Sequence, residues 1–237
     1  MLFRSRSYKA VPDIDRSQLL EAATLINAAK KPLIVFGQGI ILGEAEVEFK
    51  ALIEKTGIPS AWTILGLSAL ESNHPLNVGM VGMHGNYGPN KLTNECDVLI
   101  AIGMRFDDRV TGNLESYAKQ AKVIHFDIDP SEIDKNVKTD VAVLGNSKET
   151  LAKMLPLVNQ NSHESWVQEF RDYDAIEFDK VIKDELYPTK KGITMGEVLK
   201  EINQVTKGKA VVVSRSEERR VGKECRSKWR WLSATII

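Results

Sequence analysis

The chain has 237 residues, 43% hydrophobic and 27% charged, and its 32 basic and 32 acidic side chains cancel. That length makes one large or two small domains, and the charge balance gives no global attraction for nucleic acid or a membrane surface. No apolar run approaches the ~20 residues of a membrane span, and the first residues, M-L-F-R-S-R-S-Y-K, lack the apolar segment of a signal peptide.

Residues 1–14 carry Pro12 and no periodicity and read as linker. Leu19, Leu20, Ala22, Ala23, Leu25 and Ile26 then recur at helical spacing, predicting a helix over 15–29 with Asp15 as N-cap and Pro32 beyond its end. Leu33 to Phe36 is a short apolar strand that runs into G-Q-G-I-I-L-G at 37–43, followed by a helix from about Glu44 to Thr56. Strand, glycine turn and helix make a nucleotide-binding arrangement, because glycines let the backbone approach a phosphate and the helix start offers free N–H groups. The same glycines serve equally for a tight strand-to-helix turn. The next strand, 58–62, ends in T-I-L-G with no acid to hold a ribose, which counts against a nicotinamide dinucleotide.

Residues 68–79 read as loop. M-V-G-M-H-G-N-Y-G-P-N at 80–90 has three glycines and a proline, too many for a helix interior, and Gly88-Pro89 opens a short helix reaching Glu95. Then comes the stretch around which the chain is organised. An apolar run from Val98 to Ile102 is stopped by Gly103, and Arg105, Asp107, Asp108 and Arg109 follow. Such a run reads as a strand buried on both faces in a parallel sheet, where ligands sit beyond the carboxyl ends of the strands. Two guanidinium forks there suit phosphate or carboxylate. The alternative is a solvated loop with internal ion pairs.

Val123 to Phe126 is another buried strand, with Asp127 and Asp129 at its end. A carboxylate in that place can accept from two ribose hydroxyls, or it can cap a helix before Pro130. Val141 to Leu144 is a further strand closed by Gly145-Asn146, and Ser147 is read as the cap of a helix from Lys148 to about Val158. Four strands alternating with helices, and a fifth after a brief helical turn, predict a doubly wound α/β domain with a parallel sheet over 15–160. A polar break at 159–162 and a mixed helical stretch at 163–186 follow, within a linker assigned to 161–193. Met195, Val198, Leu199 and Ile202 mark an amphipathic helix over 194–205, and an apolar strand at 210–213 has no partner. That last pair looks like the opening of another domain.

The residues quoted above resemble a known family. G-M-H-G-N-Y at 82–87, A-I-G-M-R-F-D-D-R-V-T-G at 101–112 and H-F-D-I-D-P at 125–130 are similar to the large catalytic subunits of acetohydroxyacid synthases (acetolactate synthases). F-G-Q-G at 36–39 and T-I-L-G-L at 63–67 fit the same pattern, and the likeness covers about residues 4–214. It implies a Rossmann-like central domain of a thiamine-diphosphate enzyme, binding FAD as a structural group. Residues 194–214 would begin a truncated thiamine-diphosphate-binding domain. The FAD-contacting positions it implies are Gly37, Gly39, Thr63, Ile64, Met83, His84, Gly85, Gly103, Arg105, Asp107, Arg109, Val110, Asp127, Ile128, Gly145 and Asn146. Among them Arg105 would face the ribityl-pyrophosphate and Asp127 the adenosine ribose, with Asp107 and Arg109 toward the flavin and the substrate channel. Asn146 stands where the family often has Asp, and an amide can still bond an adenine edge.

The family condenses two pyruvates, or pyruvate and 2-oxobutyrate, in branched-chain amino-acid synthesis, as a cytoplasmic homo-oligomer with a small regulatory subunit. Its catalytic glutamate and its magnesium and thiamine-diphosphate segment have no counterpart in these residues. The isolated chain is therefore expected to be inactive and to act at most as an FAD-binding module. The competing reading is a nicotinamide-dependent oxidoreductase module.

Residues 215–237 stand apart, with seven basic and three acidic side chains. R-S-E-E-R-R-V-G-K-E-C resembles the in-frame translation of a widely used sequencing adapter, and the segment is read as non-native; a basic nucleic-acid-binding tail is the rival reading. Two cysteines, Cys96 and Cys225, are too few for a disulfide framework. Cys96, before a buried strand, reads as structural. His74, His84, His125 and His163 lack metal-ligand spacing. His84 among glycines can meet a ligand, whereas His125 within a strand reads as a packed core histidine.

Overall fold

A computed structural model describes residues 11–189, 192–207 and 209. The strand expected at 210–213, the tail at 215–237 and the first ten residues of the expected linker lie outside the described residues. The centre is a six-stranded, wholly parallel sheet in the order β3-β2-β1-β4-β5-β6. Its strands are β1 (Pro32–Phe36), β2 (Ser60–Trp62), β3 (Asn77–Met80), β4 (Val98–Ile102), β5 (Lys122–Asp127) and β6 (Val141–Leu144). Strand order reverses between β1 and β4, so a crevice opens at their carboxyl ends, where such sheets bind ligands. This is the doubly wound fold expected from the alternation of apolar runs and helices.

Both sheet faces are covered. One carries α1 (Arg16–Ala28), α3 (Glu46–Thr56) and α6 (Ser147–Met154), which bury Leu19, Ile26, Phe49, Ile53 and Leu151 against Ile34, Phe36, Ile100 and Phe126. The other carries α4 (Tyr87–Leu92) and α7 (Glu164–Glu177), where Leu92, Trp166 and Phe170 pack on Leu33, Val35, Leu99 and Val123. β1 and β4 are buried at every position, as a two-sided sheet requires.

Several expectations are corrected. The loop expected at 68–79 contains β3, whose four residues include Gly79 at φ +102 and pair along only one edge. The helix expected from about Glu44 to Thr56 is α3, but the glycine turn before it holds a further short helix, α2 (Gly39–Leu42), which ends where Glu44 turns to φ +51. The cap of α6 is Asn146, whose Oδ1 accepts from the Lys148 N–H at 2.9 Å, rather than Ser147. Residues 163–186 form α7, a π-helical turn at Phe178–Ile182, and α8 (Lys183–Leu186). The expected amphipathic helix is α9 (Met195–Thr206), capped by Thr194. Among the described residues no helix is long and apolar enough to cross a membrane.

Candidate functional site

A cleft of about 1070 Å³ lies over the carboxyl ends of β1, β2, β4 and β5. Its floor is the switch point. The Gly37 N–H donates to Ile102 O at 3.0 Å and the Gly39 N–H to Gly103 O at 2.9 Å, knitting the two turns together. A methyl group on Gly37 would fall 2.6 Å from Gly103 O, so this glycine is spent on backbone contact beneath the cleft.

Arg105 leaves the end of β4 and is exposed, as is Arg109 in α5 (Asp108–Thr111). Neither guanidinium has a hydrogen-bond or ion-pair partner among the described residues. The internal ion pairs of the loop reading are therefore absent there. Asp107 instead caps α5, accepting from the N–H groups of Arg109 at 3.1 Å and Val110 at 3.2 Å. Two unmatched positive charges thus stand on one wall.

Asp127, at the end of β5 and 9% exposed, lines the same cleft. β4 and β5 run in register, Ile102 beside Phe126, which sets Gly103 next to Asp127. Asp127 Oδ1 accepts from the Asp129 N–H at 2.8 Å, leaving Oδ2 without a hydrogen bond among the described residues and 3.6 Å from His125 Nε2. Capping before Pro130 falls to Asp129, which accepts from the Ser131 N–H. Asn146 spends its Oδ1 on α6, so its amide N–H groups remain free to donate among the described residues.

The rim is apolar. Leu42, Ile64, Leu65, Met83 and Ile128 all line the cleft, with exposures from 43% to 74%. Large apolar side chains gathered in the open mark a surface that a flat, weakly polar ligand can cover. The Met83 side of the cleft is fixed by the Met83 N–H to Arg109 O bond, 2.7 Å, and by Asn90, whose amide grips both Gly82 N and Gly82 O at 2.8 Å.

Of the positions implied by the resemblance, Gly39, Thr63, Ile64, Met83, His84, Gly103, Arg105, Asp107, Arg109, Val110, Asp127, Ile128 and Asn146 come together around the cleft. Gly37, Gly85 and Gly145 do not line it. Gly85 folds back on Met80 O, and Gly145 lies against Ile14 and Thr150. Gln38, Leu42, Leu65 and Met104 line it without having been singled out. Leu42 and Leu65 are exposed, and single exposed leucines give no signal until the fold gathers them. Among the described residues no group of three or more His, Cys, Asp or Glu side chains could hold a metal ion. Cys96 is buried and its thiol is pushed up to about 12, chiefly by desolvation, which suits a structural residue.

The thiamine pyrophosphate enzyme central-domain family matches residues 19–154, more than half of the chain. The chain belongs to this family. Among curated proteins, the chain is 34% identical over 219 residues to an acetolactate synthase large subunit of Buchnera aphidicola, covering 88% of this chain and 37% of that protein. It is 44% identical over 152 residues to a probable acetolactate synthase large subunit of Methanococcus aeolicus, covering 62% of this chain and 25% of that one. With the acetolactate synthase isozyme 3 large subunit of Escherichia coli it shares 37% identity over 168 residues, covering 71% and 29%. The chain thus spans about a quarter to a little over a third of the length of these relatives.

Proposed function

We propose that this chain is the FAD-holding central domain of an acetolactate synthase catalytic subunit. The observation that carries the reading is the pair of unpartnered guanidinium groups, Arg105 and Arg109, sharing one cleft with the half-free carboxylate of Asp127. A dinucleotide needs those parts: cations for a pyrophosphate, an acceptor for ribose hydroxyls and apolar cover for a ring. Asn146 would donate to an adenine edge, and Ile64, Met83 and Ile128 would lie against the flavin or adenine planes. The fit is poorer for a nicotinamide dinucleotide read off β1 and β2, because β2 runs into Thr63 with no carboxylate and the acid stands at the end of β5 instead.

The parent reaction would join two pyruvates, or pyruvate and 2-oxobutyrate, with loss of carbon dioxide. Thiamine diphosphate, held with magnesium by parts of the parent outside these residues, supplies the electron sink that stabilises the acyl carbanion. That condensation is redox-neutral, so the central domain is asked to hold FAD for shape rather than for electron transfer. Residues 15–160 are assigned to this domain, 161–193 to a connection and 194–214 to the start of the thiamine-diphosphate-binding domain. In the parent we place the domain within a cytoplasmic homo-oligomer served by a regulatory subunit.

The test is an FAD titration of the full chain, followed by flavin fluorescence quenching and thermal shift. Saturable quenching with a raised melting temperature is expected. Absence of both at millimolar FAD would remove the cofactor assignment.

A further inference from the structure

This inference rests on the FAD reading of the cleft and concerns a side chain that the cleft never exposes. His125 is 0% exposed and sits two positions before Asp127 on the same face of β5. Its Nε2 lies 2.9 Å from the carbonyl oxygen of Met104. A carbonyl only accepts, so the ring carries a proton on Nε2. The same nitrogen is 3.6 Å from Asp127 Oδ2. The Met104 carbonyl belongs to the peptide bond that delivers Arg105 to the cleft. One buried N–H therefore donates to the backbone that leads into Arg105 and lies close to the Asp127 carboxylate, at a distance too long for a hydrogen bond.

The surroundings hold that ring in place. Phe106 packs against it edge-on, with ring centroids 5.1 Å apart, and Asn136 Nδ2 donates to Phe106 O at 2.6 Å. Nδ1, on the far side of the imidazole, is buried and meets no partner among the described residues. In the neutral ring that nitrogen is an unmet acceptor, a cost that a leucine or valine in the same strand position would not carry. Packing alone would favour the apolar residue. The contact that offsets the cost is the one made by Nε2.

We propose that His125 is a positioning residue for the dinucleotide cleft, setting the Met104–Arg105 peptide and the Asp127 carboxylate at a fixed separation through a single buried N–H. It touches no ligand itself. Its influence runs through Arg105 and Asp127, and it distinguishes a prepared cleft from one that must be ordered on binding.

Four measurements on the full chain test this. In two-bond proton–nitrogen spectra the His125 ring is expected to show the Nε2–H tautomer; an Nδ1–H tautomer would overturn the proposal. His125→Leu should weaken FAD binding roughly tenfold, the scale of one hydrogen bond to a polar or charged partner. His125→Gln, which keeps an N–H donor, should stay within about threefold of the parent chain on the same scale. The effect of His125→Leu should shrink in an Arg105→Ala or Asp127→Asn background, as expected for groups acting as a unit. Undiminished weakening in both backgrounds, or unchanged affinity in a folded His125→Leu protein, would refute it. If the parent chain fails to bind FAD, the cofactor reading falls, and the tautomer measurement still decides whether the N–H tie exists.

Discussion

Gly39 and Gly103 meet across the point where strand order reverses. The Gly39 amide donates to the Gly103 carbonyl at 2.9 Å, and a methyl group on Gly39 would lie 2.5 Å from Gly103 Cα. Gly103 also holds φ +57, a conformation that costs other residues. Gly103→Ala should therefore lose about 3 kcal/mol, combining backbone strain with the displacement of a neighbouring turn. Gly112 offers the control: it has φ +59 but nothing within 4 Å of an added methyl. Gly112→Ala should lose only its own backbone strain, at φ +59 and ψ −123, with nothing added by contact. Urea unfolding of both variants measures the difference, and equal losses would refute the packing argument.

The two free arginines make the cleft's affinity depend on charge. Arg105→Ala should weaken FAD binding about 10- to 100-fold, and Arg105→Lys should recover only part of it because an ammonium lacks the planar fork. Lys119→Ala, an exposed change on the approach to the opposite end of β5, should leave binding unchanged. Fluorescence titrations at two salt concentrations should also show a weaker salt dependence once Arg105 is removed. Equal affinities for the two alanine variants would take Arg105 out of the site.

The parts of this architecture that sequence reveals are those in which composition and geometry coincide. β1 and β4 are unbroken apolar runs ended by glycine, and β5 is interrupted only by His125 before Asp127, the pattern of strands buried on both faces. Arg105 and Asp127 were legible because charge placed just past such a run has few structural uses. β3 was not legible, since Asn77-Val-Gly-Met is short, contains glycine, and owes its strand conformation to pairing with β2. The choice of Asn146 over Ser147 as helix cap turned on one residue of register, which propensity does not resolve. His125 was legible as buried, but not as the partner of Met104 O, because that contact joins positions 21 residues apart.

Glu177 gives the protein a pH dependence of unusual sign. It is 4% exposed and accepts from the Tyr87 N–H at 3.0 Å and from Asn86 Nδ2 at 3.2 Å, tying the end of α7 to the loop that carries Met83 and His84. Desolvation raises its pKa above the ordinary 4.5 despite those two hydrogen bonds, with Asp174 nearby adding to the rise. Asp174, faced by Arg171, is raised as well, again chiefly by desolvation. In the window just above the ordinary carboxyl range the folded state holds more protons than the unfolded one. Stability contributed by these groups is complete below that range and declines as pH rises through their folded values. Glu177→Gln should flatten this decline in thermal melts recorded from pH 4 upward, while Lys119→Ala should not. An unchanged slope in Glu177→Gln would show that the carboxyl is not the group responsible.

Trp166 decides how firmly α7 belongs to the sheet. Its ring is 1% exposed, its Nε1 donates to Pro32 O at 2.8 Å, and Lys31 Nζ lies 4.6 Å from its centroid while pairing with Glu169 at 2.8 Å. The contacts span more than 130 residues of chain and join α7 to the start of β1. Trp166→Ala should lose about 3–5 kcal/mol, the range for emptying a large aromatic site. Trp166→Phe should lose less, keeping part of the packing but leaving Pro32 O without its donor. Lys31→Ala should cost under about 1 kcal/mol, since that ammonium and Glu169 remain substantially solvated. If Trp166→Ala unfolds at the same denaturant concentration as the parent chain, α7 is not part of the cooperative unit. The Glu177 tie would then transmit nothing from α7 to the cleft.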